Sequence, residues 1–262
     1  MASTSDFDAK SASPKIILVT GANRGLGNAI THALASAYPQ HTYILGIRTL
    51  SSSTTALTDL RAAFPDTTFS AIELDVSSDA SIAAAAAHLT ATYPHLDVLV
   101  NNAGIATRAQ PGQDAWREQC NRVLDVNCTA VGAVTWAFMP LLKAGGEPQV
   151  INLSSARASM HLQTTAQLPP TASIPYSVSK TALNVLMLEL AKLEPGVLFQ
   201  AVLTVLWRQS PGHCRTALNG FTGKKEPLDG AEVVVRLVGD EGERWGQGFW
   251  EFEDGEVRRV AW

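Results

Sequence analysis

Apolar residues along this chain fall into short unbroken runs, and between the runs they recur every three or four positions. The first run, Lys15-Ile16-Ile17-Leu18-Val19, reads as a strand buried on both faces, as in a parallel sheet covered by helices. Asn28 to Ala35 then has helical spacing. Tyr43 to Ile47, closed by Arg48, is a second strand. Ala56 to Phe64 is a helix stopped by Pro65, and Thr68 to Val76 a third strand. Ser77 or Ser78 can cap an alanine-rich helix from Asp79 to Tyr93. Leu96 to Val100 is a fourth strand, Trp116 to Leu142 a long helix, and Gln149 to Leu153 a fifth strand. Residues 156–175 are polar and proline-bearing, with no strong period. Pro175 to Leu193 is helical again. Phe199 to Leu206 is a sixth strand and Gly248 to Phe252 a seventh, the latter leading into a turn that closes the sheet edge.

Strands alternating with helices predict right-handed crossovers in one parallel sheet. The fold class expected is α/β, a single doubly wound domain over residues 15–262 with about seven strands and helices on both faces. Residues 1–14 read as a floppy tail. In such sheets ligands bind outside the carboxyl ends of the strands, at the switch point. Three polar motifs fall at strand ends here: Thr20-Gly21-Ala22-Asn23-Arg24-Gly25-Leu26-Gly27, Asn101-Asn102-Ala103-Gly104 and Ser154-Ser155. The first, between a strand and a helix, aims free backbone N–H groups and a helix dipole at a phosphate. Its spacing is G-x-x-x-G-x-G, not the commoner G-x-G-x-x-G.

Composition narrows the classes. With 46% apolar and 17% charged residues the chain is globular in character. A net charge of −4 and a pI near 5.9 give no basic surface for nucleic acid or an anionic membrane. Cys120, Cys128 and Cys214 are too scattered for a disulfide framework or a metal site, and read as reduced thiols of a cytoplasmic protein. No apolar run approaches the roughly 20 residues that span a bilayer, and the first residues lack a signal-peptide core.

The chemistry concentrates in Tyr176-Ser177-Val178-Ser179-Lys180. Tyr and Lys at i and i+4 lie on one helix face. A phenol titrates near 10, and an ammonium within about 4–6 Å lowers that value. The pair is suited to proton transfer in an alcohol–carbonyl interconversion.

These motifs, with Asp75, Asn127 and Pro211-Gly212, occur in the order found in the short-chain dehydrogenase/reductase family, and the chain resembles its carbonyl-reductase-like branch. The resemblance implies a Rossmann fold. It casts Tyr176 as the acid that protonates a substrate carbonyl oxygen and Ser155 as that oxygen's hydrogen-bond donor. Lys180 would lower the Tyr176 pKa and hold the nicotinamide ribose, and Asn127 would anchor a water that relays protons to the lysine. Ser154 competes with Ser155 for the serine role; alignment on Val150 to Leu153 favours Ser155. Asp75 would bind the adenine amino group. Asn102, Ala103 and Gly104 would lie beneath the adenosine ribose. Pro211, Gly212 and Thr216 would border the nicotinamide amide and diphosphate.

Charge then selects the cofactor. An acid placed roughly 20 residues past the glycines marks NAD binding. Between Tyr43 and Thr58 there is none, while Arg48 sits at that place and Arg24 lies inside the glycine turn. Guanidiniums suit a 2′-phosphate, so the expected cofactor is NADP(H). The expected activity is NADPH-dependent reduction of an aldehyde or ketone, with a homo-oligomer possible. The rivals are a catalytically weak NADP-binding sensor or partner protein, and an alcohol dehydrogenase working in the oxidative direction.

Two stretches depart from the family pattern. The interval from Ser155 to Tyr176 is longer than usual, and its extra segment, Arg157 to Ile174 with His161 in it, is expected to line the substrate mouth. Leu203 to Gln209 lengthen the approach to Pro211-Gly212. A central strand has no room for them, so either they loop out beyond it or they do not belong to the natural product.

Overall fold

The computed structural model describes residues 13–107, 112, 114–165, 167–171, 173–203, 226–239 and 245–262. Its core is one eight-stranded sheet in the order β3-β2-β1-β4-β5-β6-β7-β8. The strands are β1 (Ile16–Thr20), β2 (Thr42–Ile47), β3 (Thr68–Glu73), β4 (Val98–Asn101), β5 (Gln149–Leu153), β6 (Leu198–Leu203), β7 (Gly248–Glu253) and β8 (Glu256–Arg259). All neighbours pair in parallel except β7 and β8, which form an antiparallel hairpin across Asp254-Gly255. The order reverses between β1 and β4, so the switch-point crevice opens above those two strands. The hairpin adds one strand to the expected seven.

The unbroken apolar runs are explained by burial on both faces. Ile17, Val19, Tyr43, Leu45, Val98, Val100 and Ile151 pack to one side, and Leu18, Ile44, Leu99, Val150 and Phe199 to the other, all fully buried. Each such side chain contributes about 1.5–3 kcal/mol by leaving water. A register slip of one residue would exchange the two sets, so the strand ends, and the motifs on them, are held in place.

The helices are α1 (Gly25–Ala37), α2 (Thr54–Ala63), α3 (Asp79–Thr92), α4 (Trp116–Leu124), α5 (Ala130–Ala144), the short α6 (Met160–Thr164), α7 (Ile174–Leu193) and α8 (Pro227–Val238). α3 starts at a Ser78 cap, whose hydroxyl accepts from the Ser81 N–H. The long helix expected from Trp116 is two helices joined by a π turn, Asp125–Thr129, in which the Ala130 N–H reaches Asp125 O. By length and mean hydropathy (1.2) Trp116–Ala144 could cross a membrane, which no run seemed long enough to do from sequence, but half of its apolar window is buried inside this fold. α8 was not anticipated, because Val233-Val234-Val235 reads as β-branched strand material. Its apolar positions Ala231, Val234, Val235 and Val238 nonetheless form one helical stripe, packed with Ile30 and Leu34 of α1 in the same core.

The segment expected to line the substrate mouth carries a 3₁₀ turn, Ala156–Ala158, and then α6. β6 ends among the described residues at Leu203, which is buried and pairs with Glu251. The remainder of the insertion expected over Leu203 to Gln209, together with Pro211, Gly212, Cys214 and Thr216, lies outside the described residues. So do residues 1–12 of the expected tail.

Candidate active site

The glycine turn is braced by the turn after β4. The Thr20 hydroxyl accepts from the N–H groups of Asn102 and Ala103, both at 3.0 Å, and the Asn102 side-chain amide donates to Thr20 O at 2.7 Å and Gly21 O at 3.3 Å. Gly21 and Gly25 have φ of +67° and +57°, a region that disfavours any side chain. α1 therefore begins at Gly25, earlier than the apolar spacing suggested. Arg24 stands at its N-cap with no side-chain capping bond, and no acid lies in the first turn. The first N–H groups of α1 thus point at the crevice without a protein acceptor from a cap, which is the donor set an anion takes up. Leu26 packs against the core below, and Gly27 is buried in the turn.

Arg24 and Arg48 are both exposed, at the ends of the glycine turn and of β2. Asn23 donates to the Ser52 hydroxyl at 3.3 Å, which ties the glycine turn to the loop after Arg48. Asp75, just past β3, accepts from the Ser77 hydroxyl (2.7 Å) and N–H (3.0 Å). The Ser77 hydroxyl, then its N–H and the nearby Arg48 guanidinium, hold the Asp75 carboxyl below its ordinary range while burial pulls the other way. It is therefore an ionised acceptor beside Arg48.

At the far side of the crevice the two serines after β5 are separated by their partners. Ser154 donates to Asn184 Oδ1 of α7 at 2.7 Å and is committed there. Ser155 instead accepts from Arg157 N at 3.2 Å and lies near enough to the Tyr176 phenol to favour its ionised form. The geometry thus puts the second serine, not the first, against the tyrosine. Lys180, one turn beyond Tyr176, lies with Nζ 5.8 Å from the centre of the Tyr176 ring and donates to Leu153 O at 2.5 Å. Burial lowers the Lys180 pKa to about 8, with the Cys128 thiol opposing the shift.

The Tyr176 pKa runs opposite to the expectation that Lys180 lowers it. Burial pushes it up to about 12, and the nearby Ser155 side chain is the group that draws it down. The lysine ammonium donates one N–H to Leu153 O and lies over the Tyr176 ring. At neutral pH Tyr176 holds its proton and is a donor.

Asn127, in the π turn, is fully buried. Its Oδ1 accepts from Ile105 N at 2.8 Å, and its amide donates to Ile105 O at 2.8 Å and to the Ser179 hydroxyl at 3.0 Å. Ser179 in turn donates to Tyr176 O at 2.8 Å. Both amide hydrogens are therefore used to lock the turn after β4 onto α7, and a water held by Asn127 would have to sit on an oxygen. Gly104 lies in the same contact, for a β-carbon there would stand 3.2 Å from Asn127 Oδ1. Ser179 and Asn184 are site-shaping residues that the sequence reading did not single out. Polar residues on a helix read as solvent-facing unless their partners are known.

A parallel sheet with a switch point above β1 and β4, a glycine turn opening α1 and a braced asparagine turn beside it define a Rossmann-type dinucleotide-binding protein. The model of the short chain dehydrogenase family matches residues 15–206. The chain belongs to that family. A short-chain dehydrogenase/reductase of Aspergillus fumigatus is 37% identical over 266 residues, covering 96% of this chain and 98% of that one. Another, from Talaromyces stipitatus, is 33% identical, covering 84% and 85%. Among solved structures, a metagenomic short-chain oxidoreductase in complex with NADP is 27% identical with a TM-score of 0.71, covering 92% of this chain and 98% of that one. The NADPH-bound carbonyl reductase from chicken fatty liver shares the fold with a TM-score of 0.79 at 23% identity, covering 96% and 100%.

Proposed function

We propose that this oxidoreductase reduces an aldehyde or ketone to an alcohol with NADPH, and that Ser155, Tyr176 and Lys180 carry the reaction. The observation that carries the reading is the placement of Lys180 one turn beyond Tyr176 on α7, with its Nζ 5.8 Å from the centre of the Tyr176 ring and Ser155 beside the phenol. The chain's own groups fit NADP. The uncapped first turn of α1 and the backbone of Thr20 to Gly27 suit the diphosphate. Arg24 and Arg48 suit a 2′-phosphate, Asp75 is an ionised acceptor for the adenine amino group, and Asn102 to Gly104 border the ribose. The bound complex named for the metagenomic relative agrees with this choice.

When bound, the nicotinamide supplies a hydride to the carbonyl carbon. Ser155 holds the carbonyl oxygen by its hydroxyl, so that charge developing there meets a fixed donor. Tyr176 gives that oxygen its proton; with a pKa pushed up to about 12 it is protonated at any working pH. Lys180 keeps two N–H groups beyond its bond to Leu153 O, for the ribose hydroxyls. α5 and α7 expose Trp136, Val178 and Val185, and a homo-oligomer pairing through these helices would cover them.

The test is NADPH consumption against a panel of aldehydes, ketones and quinones. Turnover is expected with the native chain, and Tyr176→Phe is expected to lose at least about a hundredfold in kcat. Full turnover in Tyr176→Phe would overturn the mechanism. NADPH binding without turnover of any carbonyl would favour a sensor.

A further inference from the structure

We propose that Asn184 is a positioning residue for Ser155. By anchoring the preceding serine it holds the turn after β5 at a set separation from Tyr176. The inference rests on the reading above for what Ser155 does.

Consecutive residues of an extended backbone send their side chains to opposite sides. Ser154 and Ser155 thus take different partners along α7: the Ser154 hydroxyl donates to Asn184 Oδ1 at 2.7 Å, and Ser155 lies near Tyr176, two turns earlier. The Ser154 N–H also donates to Val202 O at 2.9 Å, so this residue is held from β6 and from α7 together. Asn184 lies one turn beyond Lys180 and two beyond Tyr176. A single helix therefore carries both the proton donor and the anchor of the serine that faces it. The rest of the turn follows Ser155 as a unit, with Arg157 N donating to the Ser155 hydroxyl at 3.2 Å and Ala158 N to Ser155 O at 2.8 Å.

Stability alone does not account for this asparagine. Ser154 and Asn184 are both buried, and Asn184 Nδ2 has no hydrogen-bond partner. Removing a donor from water without a partner costs more than one neutral hydrogen bond returns. Leucine at 184 opposite alanine at 154 would fill the same space without that cost. What the pair supplies is direction: it fixes which way the Ser154-Ser155 turn faces.

The experiment compares Asn184→Leu, Ser155→Ala and the double variant with the native chain. The loss from Asn184→Leu is expected to be about tenfold in kcat in the native background and under about twofold in the Ser155→Ala background, because the asparagine acts through that serine. The NADPH dissociation constant is expected to hold, while the melting temperature falls by the same amount in both backgrounds because the Ser154 hydroxyl loses its acceptor. Hydrogen exchange of the peptide spanning Ser155 to Ala158 is expected to quicken in Asn184→Leu, and this is read without any substrate. A tenfold loss that persists in the Ser155→Ala background overturns the inference, as does unchanged exchange. If the native chain turns over no carbonyl, the functional reading fails, and exchange alone decides the anchor.

Discussion

A β-carbon on Gly27 would stand 2.4 Å from the side-chain nitrogen of Asn102 and 2.6 Å from Gly21 O. The Asn102 amide cannot retreat without giving up its 2.7 Å bond to Thr20 O, and Gly21 O belongs to backbone pinned by the Gly21 N–H to Gly46 O bond at 2.7 Å. The turn after β4 and the glycine turn are thus one packed unit, in which glycine at 27 is a requirement of space. Gly27→Ala should destabilise the fold by about 1–3 kcal/mol through overpacking. It should also weaken NADPH binding by at least about tenfold as the turn opens. Denaturant melts and cofactor fluorescence would show both; affinity within twofold of native would mean that the turn does not seat the cofactor.

The strand ends were legible in the sequence because aliphatic runs such as Ile16 to Val19 admit one burial pattern, and three polar turns then fall together by topology alone. The limits were equally physical. α8 was hidden because a Val233-Val234-Val235 run satisfies strand chemistry and helix periodicity alike, and packing with α1 decided between them. Alignment already favoured Ser155 over Ser154, but the role of Ser154 was hidden because its partner Asn184 lies 30 residues away in sequence. The i,i+4 spacing placed Lys180 on the Tyr176 face, but burial of the phenol and the lysine bond to Leu153 O were not legible in it.

Arg48 is exposed and helps to hold the Asp75 carboxyl ionised. If it pairs with a 2′-phosphate, Arg48→Asp removes a charge-assisted bond worth about 1.5–3 kcal/mol and sets a repulsive carboxylate in its place. The ratio of kcat/KM for NADPH over NADH should then fall by at least about tenfold. Equal use of the two cofactors by the native chain would remove the basis for the 2′-phosphate assignment.

Lys180 gives a pH signature. Burial brings its pKa from the ordinary 10.5 down to about 8, so the ammonium is lost as pH rises through 8 in the folded chain. Tyr176, near 12, still holds its proton there. The kcat/KM for NADPH, which reports the free enzyme, should therefore decline above pH 8 and be down by about tenfold at pH 9. Folding stability moves the other way. Between 8 and 10.5 the unfolded chain binds the proton that the folded chain has released, so this group makes stability rise with pH. Lys180→Arg, charged throughout, should lose the decline. A flat profile to pH 10 in the native chain would show that the lysine charge does not serve cofactor binding.

His41 is expected to make the fold sensitive to acid. Its ring is 2% exposed, accepts the Lys15 N–H on Nδ1 at 3.1 Å and stacks on Tyr38 at 5.4 Å. Burial first, then the Lys15 charge, lowers its pKa from 6.5 to about 4, with Asp97 opposing. A protonated ring could not accept the Lys15 N–H at Nδ1, and that bond helps to hold the start of β1. The pKa is depressed, so the stability is present in full above 6.5 and is lost as pH falls from 6.5 towards 4. At pH 5 the unfolded chain carries the proton and the folded chain does not, a difference of roughly 2 kcal/mol against pH 7. Denaturant melts at pH 7 and pH 5 should show that drop in the native chain. In His41→Gln, which keeps an acceptor for Lys15 and has nothing to titrate, most of the drop should vanish. An equal drop in both chains would place the acid sensitivity elsewhere in the fold.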